Sequence, residues 1–320
     1  YDYVVVGGGT SGLTVADRLT EDPKTTVVVV EYGCLRPSTV AIRNQELLHQ
    51  RSILASYQSI PQPGLDNRSS PVYSAAVVCG GTAINGMFFN RGSAGDYDTW
   101  EQLGNPGWGW NGLLPYFKKI NLRKISITFT PPPEDLAAQY PIPSDLSPHG
   151  TSGPVGSSFS RFQYPVIKNF FSGWNGIGVA SNPQPNVGDA NGAFYSTLSL
   201  DFKNQSRSSA STAYYRPMIG KRPNYHLVAG QSVTKILFSK KTMRATSVNP
   251  PDPWSNFTHS VSACHEVIHA AGAVHSPQIL QLSGVGPKKL LFGLGVDTLV
   301  DLPGVGYNFQ DQPSMFMSFN

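Results

Sequence analysis

Three glycines, Gly7, Gly9 and Gly12, stand at G-x-G-x-x-G spacing directly after the apolar run Tyr3 to Val6. Each has a separate chemical use. The first allows a tight turn from strand to helix, the second lets the backbone approach a pyrophosphate, and the third lets the helix pack on the sheet. A helix opening at Thr10 would aim free N–H groups and a partial positive charge at that anion, with Thr10 and Ser11 beside it. Glu31 follows at the end of the next apolar run, at the spacing of about 20 residues where an acid accepts hydrogen bonds from ribose hydroxyls. A carboxylate there repels a 2′-phosphate, which disfavours NADP and leaves NAD and FAD open.

The elements that would position these residues can be read from periodicity. Residues 3 to 33 form one βαβ unit: a strand Tyr3 to Val6, an amphipathic helix Thr10 to Leu19 and a buried strand Val27 to Val30. That unit opens a doubly wound, mostly parallel sheet, so the expected fold class is α/β. From Leu35 to Ser74 no period persists, and Pro37, Pro61, Pro63 and Pro71 predict an extended surface excursion. Residues 130 to 155, with Pro131, Pro132, Pro133, Pro141, Pro143 and Pro148, read as a linker or loop at a lobe boundary. Aromatic residues between Gly156 and Pro223 (Phe159, Phe162, Tyr164, Phe170, Phe171, Trp174, Phe194, Tyr195) read as packing of a second lobe. Four strand-like stretches, Tyr225 to Val228, Val233 to Phe238, Ala245 to Val248 and His265 to His269, predict a meander beside the first sheet.

Composition narrows the class. The 320 residues are 40% hydrophobic and 14% charged, with 32 Gly and 26 Pro, as in a globular protein rich in turns and loops. The net charge of +4 is scattered, and its densest run, Lys118 to Lys124, is too thin for a nucleic-acid surface. No apolar run approaches the ~20 residues of a membrane span. Three sequons, at Asn67, Asn204 and Asn256, point to a secreted glycoprotein. Tyr1 leads straight into a strand, as expected of a chain whose signal peptide has been removed. Cys34, Cys79 and Cys264 have no metal-ligand spacing and allow at most one bridge.

A second glycine-rich segment decides between the cofactors. Ala75 to Asp98, with Gly80, Gly81, Thr82, Ile84, Asn85, Phe89, Gly92 and Asp98, resembles the first signature of the glucose-methanol-choline (GMC) oxidoreductase family. Ala76 and Cys79 depart from it, Cys79 standing where the family has the first glycine of a pair; as a small apolar group it is expected to pack. Gly272 to Gly286 resembles the second signature at every constrained position. Arg207 to Ala210, Val233 to Phe238, Glu266 to Ile268 and Leu302 to Asp311 also match in order, so the resemblance spans nearly the whole chain. Its wording is most similar to fungal glucose oxidase, glucose dehydrogenase and aryl-alcohol oxidase branches.

That resemblance implies a Rossmann-like FAD-binding domain, residues 1–150 and 224–312, with the excursion 35–74. It also implies part of an α+β substrate-binding lobe, residues 151–223 and 313–320. Gly7, Gly9, Thr10, Ser11 and Gly12 are implied to hold the FAD pyrophosphate, Glu31 the adenosine ribose and the Val233 backbone the adenine. Gly81, Asn85, Gly86, Met87 and Phe88 are implied to line the ribityl and isoalloxazine portion, although Met87 and Phe88 also suit an ordinary core. The implied activity is oxidation of an alcohol or sugar CH–OH group by hydride transfer to flavin N5, with oxygen or a quinone-like acceptor reoxidising the flavin. The family base is a histidine in a His-Pro-x-Gly-Thr-like segment; none of the seven histidines lies in one, so no catalytic residue is assigned and the catalytic half is expected to lie outside these residues. A hydroxynitrile lyase on the same scaffold and a non-catalytic FAD-binding remnant are the alternative readings. Substrate identity and oligomeric state are not specified by these motifs.

Overall fold

The computed structural model describes residues 1–36, 53–118, 127–132, 134–140, 149–150, 152–249 and 260–311. They form two compact units, Tyr1–Leu35 with Gly220–Asn320 and Arg36–Ile219.

The first unit is built on a strand β1 (Tyr3–Val6), a helix α1 (Thr10–Leu19) and a strand β2 (Val27–Glu31). β1 and β2 are runs of β-branched valine buried on both faces, the pattern of a central parallel sheet. They pair in parallel from Tyr3↔Val27 to Val6↔Val30. The strand Glu266–His269 pairs with the other side of β1, and Tyr225–Ala229 with the other side of β2, both parallel. Two of the four stretches expected in a meander therefore flank the central sheet instead. Only Lys235–Phe238 and Ala245–Asn249, with Val261–Ser262, form an antiparallel meander.

Val4, Val6, Val28 and Val30 of the parallel sheet share one core with Val233, Ile236 and Val248 around the meander and with Ile279 of the helix Gly272–Leu282. Burying each such valine contributes about 1.5–3 kcal/mol. Helix α1 buries Leu13 and Ala16. Its last turn is tied down by polar contacts: Thr20 Oγ1 donates to Ala16 O at 2.8 Å, and Arg222 Nη1 reaches Asp17 Oδ1 at 3.0 Å.

The second unit contains short elements. Residues 53–75, expected as an irregular excursion, instead include an antiparallel hairpin of Leu54–Gln58 and Pro71–Ala75. The 3₁₀ turn Pro63–Leu65 and left-handed Asp66 and Asn67 lie between its strands. The helix Ala94–Gln102 starts with a capping box between Ser93 and Asp96, which satisfies two backbone N–H groups that a helix start leaves unpaired. A small core of Phe129, Tyr140 and Phe159 lies nearby in sequence to exposed rings: Phe162 and Tyr164 are 63% and 68% exposed. The aromatic residues of 156–223 are thus only partly lobe packing, because ring type alone does not dictate burial.

Candidate functional site

In the first unit the chain leaves β1 at Gly7 in a left-handed conformation, φ 101°. Gly7 N donates to Val30 O at 2.8 Å, and Ala270 N donates to Val6 O at 2.8 Å, so strands crowd both sides of the turn. A Cβ at Gly7 would lie 2.4 Å from Ala270 O, and one at Gly12 only 1.9 Å from Gly7 O. Both positions therefore require glycine. Gly9 is the N-cap of α1 and supplies no side-chain cap, while Thr10 and Ser11 are exposed on the first turn. The start of a helix leaves its first N–H groups without intrahelical partners, and with no side chain supplied at the cap those donors suit a phosphate.

Glu31 ends β2 and is 7% exposed. Its Oε2 accepts from Gly8 N at 2.7 Å and its Oε1 from Gly33 N at 2.6 Å. Burial pushes its carboxyl above the usual carboxylate range, opposed by these two donors. A carboxylate offers about four lone-pair sites, so two ribose hydroxyls can still be accepted. The turn and the acid thus fit the adenosine diphosphate end of a dinucleotide. Val233 is buried in the shared core, which leaves its backbone, not its side chain, for recognition.

The second unit brings together Gly81, Asn85, Gly86, Met87 and Phe88. Gly80–Ala83 form a 3₁₀ turn that follows Cys79, held at φ 97°. That conformation is the physical reason for a glycine there, and Cys79 occupies it at a conformational cost. Its thiol is buried, which pushes its pKa up, with Ser209 and Thr82 as hydrogen-bonding neighbours. Gly81 faces open space in the direction a Cβ would take. Asn85 Oδ1 accepts from Arg207 Nη1 at 2.6 Å and from Met87 N at 3.2 Å, and Met87 adopts φ 64°. Phe88 is 72% exposed, which is not the burial of a core residue.

Sequence reading missed the clamp on this loop. Arg207 Nη1 also donates to Thr82 O at 3.2 Å, and Ala210 N donates to Thr82 Oγ1 at 3.1 Å. The matching run Arg207 to Ala210 was the available signal, but its role depends on a contact across 122 positions.

Among the described residues the histidines do not gather. His149 stacks on Phe129, His265 lies near Asp2 at the surface, and burial lowers the pKa of His269. His49 and His259 lie outside the described residues, as do Asn256 and Met315 to Phe319. Among the described residues no group of three or more His, Cys, Asp or Glu could hold a metal ion, and no helix is long and apolar enough to cross a membrane. Cys34, Cys79 and Cys264 are free thiols.

Comparison with known proteins gives a consistent outcome. The family model for GMC oxidoreductases matches residues 1–314. The chain is 40% identical to dehydrogenase xptC of Emericella nidulans, over 98% of this chain and 49% of that protein. It is 36% identical to glucose oxidase 2 of Penicillium expansum, over 100% of this chain and 53% of that protein. Among solved structures it is similar to an FAD-dependent oxidoreductase from Chaetomium thermophilum, with TM-score 0.86 and 41% identity over 95% of this chain and 51% of that one. A fungal aryl-alcohol oxidase gives TM-score 0.83 and 36% identity over 96% and 51% of the respective chains. The chain spans about half the length of the curated relatives it matches.

Proposed function

This chain belongs to the GMC oxidoreductase family, and from that membership we propose that the whole protein is an FAD-dependent oxidoreductase acting on the CH–OH group of a small alcohol or sugar. The observation that carries the reading is the glycine turn from Gly7 into the start of helix α1, with the buried Glu31 carboxylate at the end of the neighbouring strand. When bound, FAD would supply the hydride acceptor for the alcohol carbon, with oxygen or another acceptor as the final oxidant.

The chain's own residues bind and orient. Gly7, Gly9, Gly12 and the first turn at Thr10 and Ser11 hold the pyrophosphate by backbone donors. Glu31 accepts the ribose hydroxyls, and the Val233 backbone meets the adenine. Gly81, Asn85, Gly86, Met87 and Phe88 line the ribityl and isoalloxazine portion, with Arg207 fixing Asn85. By function rather than by compactness, residues 1–150 and 224–312 serve FAD, and residues 151–223 and 313–320 serve the substrate. No histidine of this chain is assigned as the base.

Anaerobic addition of alcohols to the full-length protein tests the reading. Bleaching of the flavin band supports it. Cyanide release from a cyanohydrin without bleaching would replace it with a lyase, and silence toward both would leave a cofactor-binding remnant.

Glu31→Ala should weaken FAD binding by about 1.5–3 kcal/mol, the range for hydrogen bonds to a charged group. Glu31→Gln, which keeps one acceptor for Gly8 or Gly33, should fall between. Titration of apoprotein with FAD checks this; unchanged affinity removes Glu31 from the ribose site.

Secretion is proposed on the sequons. Asn67 and Asn204 are both exposed, so both are accessible to a glycosyltransferase. Enzymatic deglycosylation of the native protein should lower its mass, with peptide mapping placing a glycan on at least one of Asn67, Asn204 and Asn256. A native sample of unmodified mass overturns it.

A further inference from the structure

The side-chain amide of Asn85 is held in one orientation. Its Oδ1 accepts from Arg207 Nη1 at 2.6 Å and from Met87 N at 3.2 Å. Guanidinium and backbone N–H groups only donate, so both contacts require the oxygen, and exchanging the two ends of the amide would set donor against donor. The Nδ2 group is thereby left as the outward donor. It donates to no group among the described residues, and Asn85 is exposed.

Arg207 can impose this orientation because its backbone is fixed. The two-residue strand Ser206–Arg207 pairs antiparallel with Leu200–Asp201. The next residue is tied twice, Ser208 N donating to Ser199 O at 2.9 Å and Gly156 N to Ser208 Oγ at 2.9 Å. The turn that Asn85 closes is sparsely covered: Asn85 N donates to Gly81 O at 2.9 Å, Gly81 and Gly86 are both exposed, and nothing lies within 4 Å of a Cβ at Gly81. Backbone without side chains lets a planar group come close.

We propose that Arg207 is a positioning residue, which fixes Asn85 so that its Nδ2 donates to a carbonyl oxygen or unprotonated ring nitrogen of the isoalloxazine. This rests on the functional reading above, which assigns this turn to the flavin. The acceptor follows from polarity. A ribityl hydroxyl both donates and accepts, so it can meet either end of an amide. The ring's carbonyl oxygens and unprotonated nitrogens only accept, and they need the end that Arg207 turns outward. Reduction places negative charge on that edge of the ring, so a fixed donor there holds the reduced flavin more tightly than the oxidised one and raises its potential.

The test uses the full-length protein, stripped of flavin and titrated with FAD, with the potential of the reloaded protein measured in parallel. Asn85→Asp keeps acceptors for Arg207 and Met87 N but has no donor, so its Kd for FAD should rise about 10- to 100-fold and its flavin potential should become more negative. Its melting temperature without flavin should not fall, because the contact with Arg207 persists as an ion pair. Arg207→Met should raise the Kd about 2- to 10-fold, and Arg207→Lys, which keeps a donor, should lie between it and the wild type. In an Asn85→Ala background Arg207→Met should add less than about 2-fold, since it acts through Asn85. An unchanged potential in Asn85→Asp overturns the proposal, and a raised Kd beside it moves the contact to the ribityl chain. A lower melting temperature in the flavin-free Asn85→Asp protein also overturns it, making the amide structural, as does the full Arg207→Met effect in the Asn85→Ala background. Failure of the cofactor reading is distinguishable, because the wild-type apoprotein would then take up no FAD.

Discussion

Gly12→Val yields a protein without bound flavin and with lower thermal stability. The cause is local and steric: the new Cβ would lie 1.9 Å from Gly7 O, an atom fixed between two strands by the hydrogen bonds on either side of it. Neither the strand nor the helix can yield without opening the turn that presents the pyrophosphate donors. Overpacking of this kind costs about 1–3 kcal/mol and more when backbone must move. The loss of cofactor adds to it, because any ligand that binds only the folded state stabilises that state. Gly95→Ala is the matched control. It sits in the helix Ala94–Gln102 with nothing near its Cβ direction, so flavin content and melting temperature should not fall. Full flavin content in Gly12→Val, measured from the visible spectrum per mole of protein, removes the pyrophosphate from this turn.

The second large effect concerns catalysis. Residues 1–320 expressed alone should reduce flavin with alcohol at least about 10² times more slowly than the full-length protein, because general-base assistance contributes about 10²–10⁴ in rate. The proposed base is not among the seven histidines of this chain. His149 is committed to a stack on Phe129, and His265 to the surface beside Asp2. Anaerobic stopped-flow reduction, normalised to bound flavin, makes the comparison. Equal rates would mean that one of these histidines is the base.

Legibility in the sequence followed the range of the interactions involved. β1 and α1 were predicted to the residue, and β2 to within one, because a short apolar run, helical spacing and the glycine turn are all local signals. The strands Tyr225–Ala229 and Glu266–His269 were recognisable as strands, but not as members of the parallel sheet. A short apolar run has the same look in either setting, and only the pairings Val27↔Tyr225 and Tyr3↔Glu266 decide between them. The hairpin 54–75 was obscured by prolines, which here sit in the turn and at a strand start, where the missing N–H is tolerated. Arg207 carries no local hint that it fixes Asn85.

The dinucleotide assignment is tested most directly by the cofactor itself. The full-length protein is heat-denatured and the supernatant resolved by chromatography against FAD, FMN, NAD and NADP standards. The account predicts FAD, close to one per chain. NAD or NADP in the supernatant of a protein that carries no flavin would contradict it.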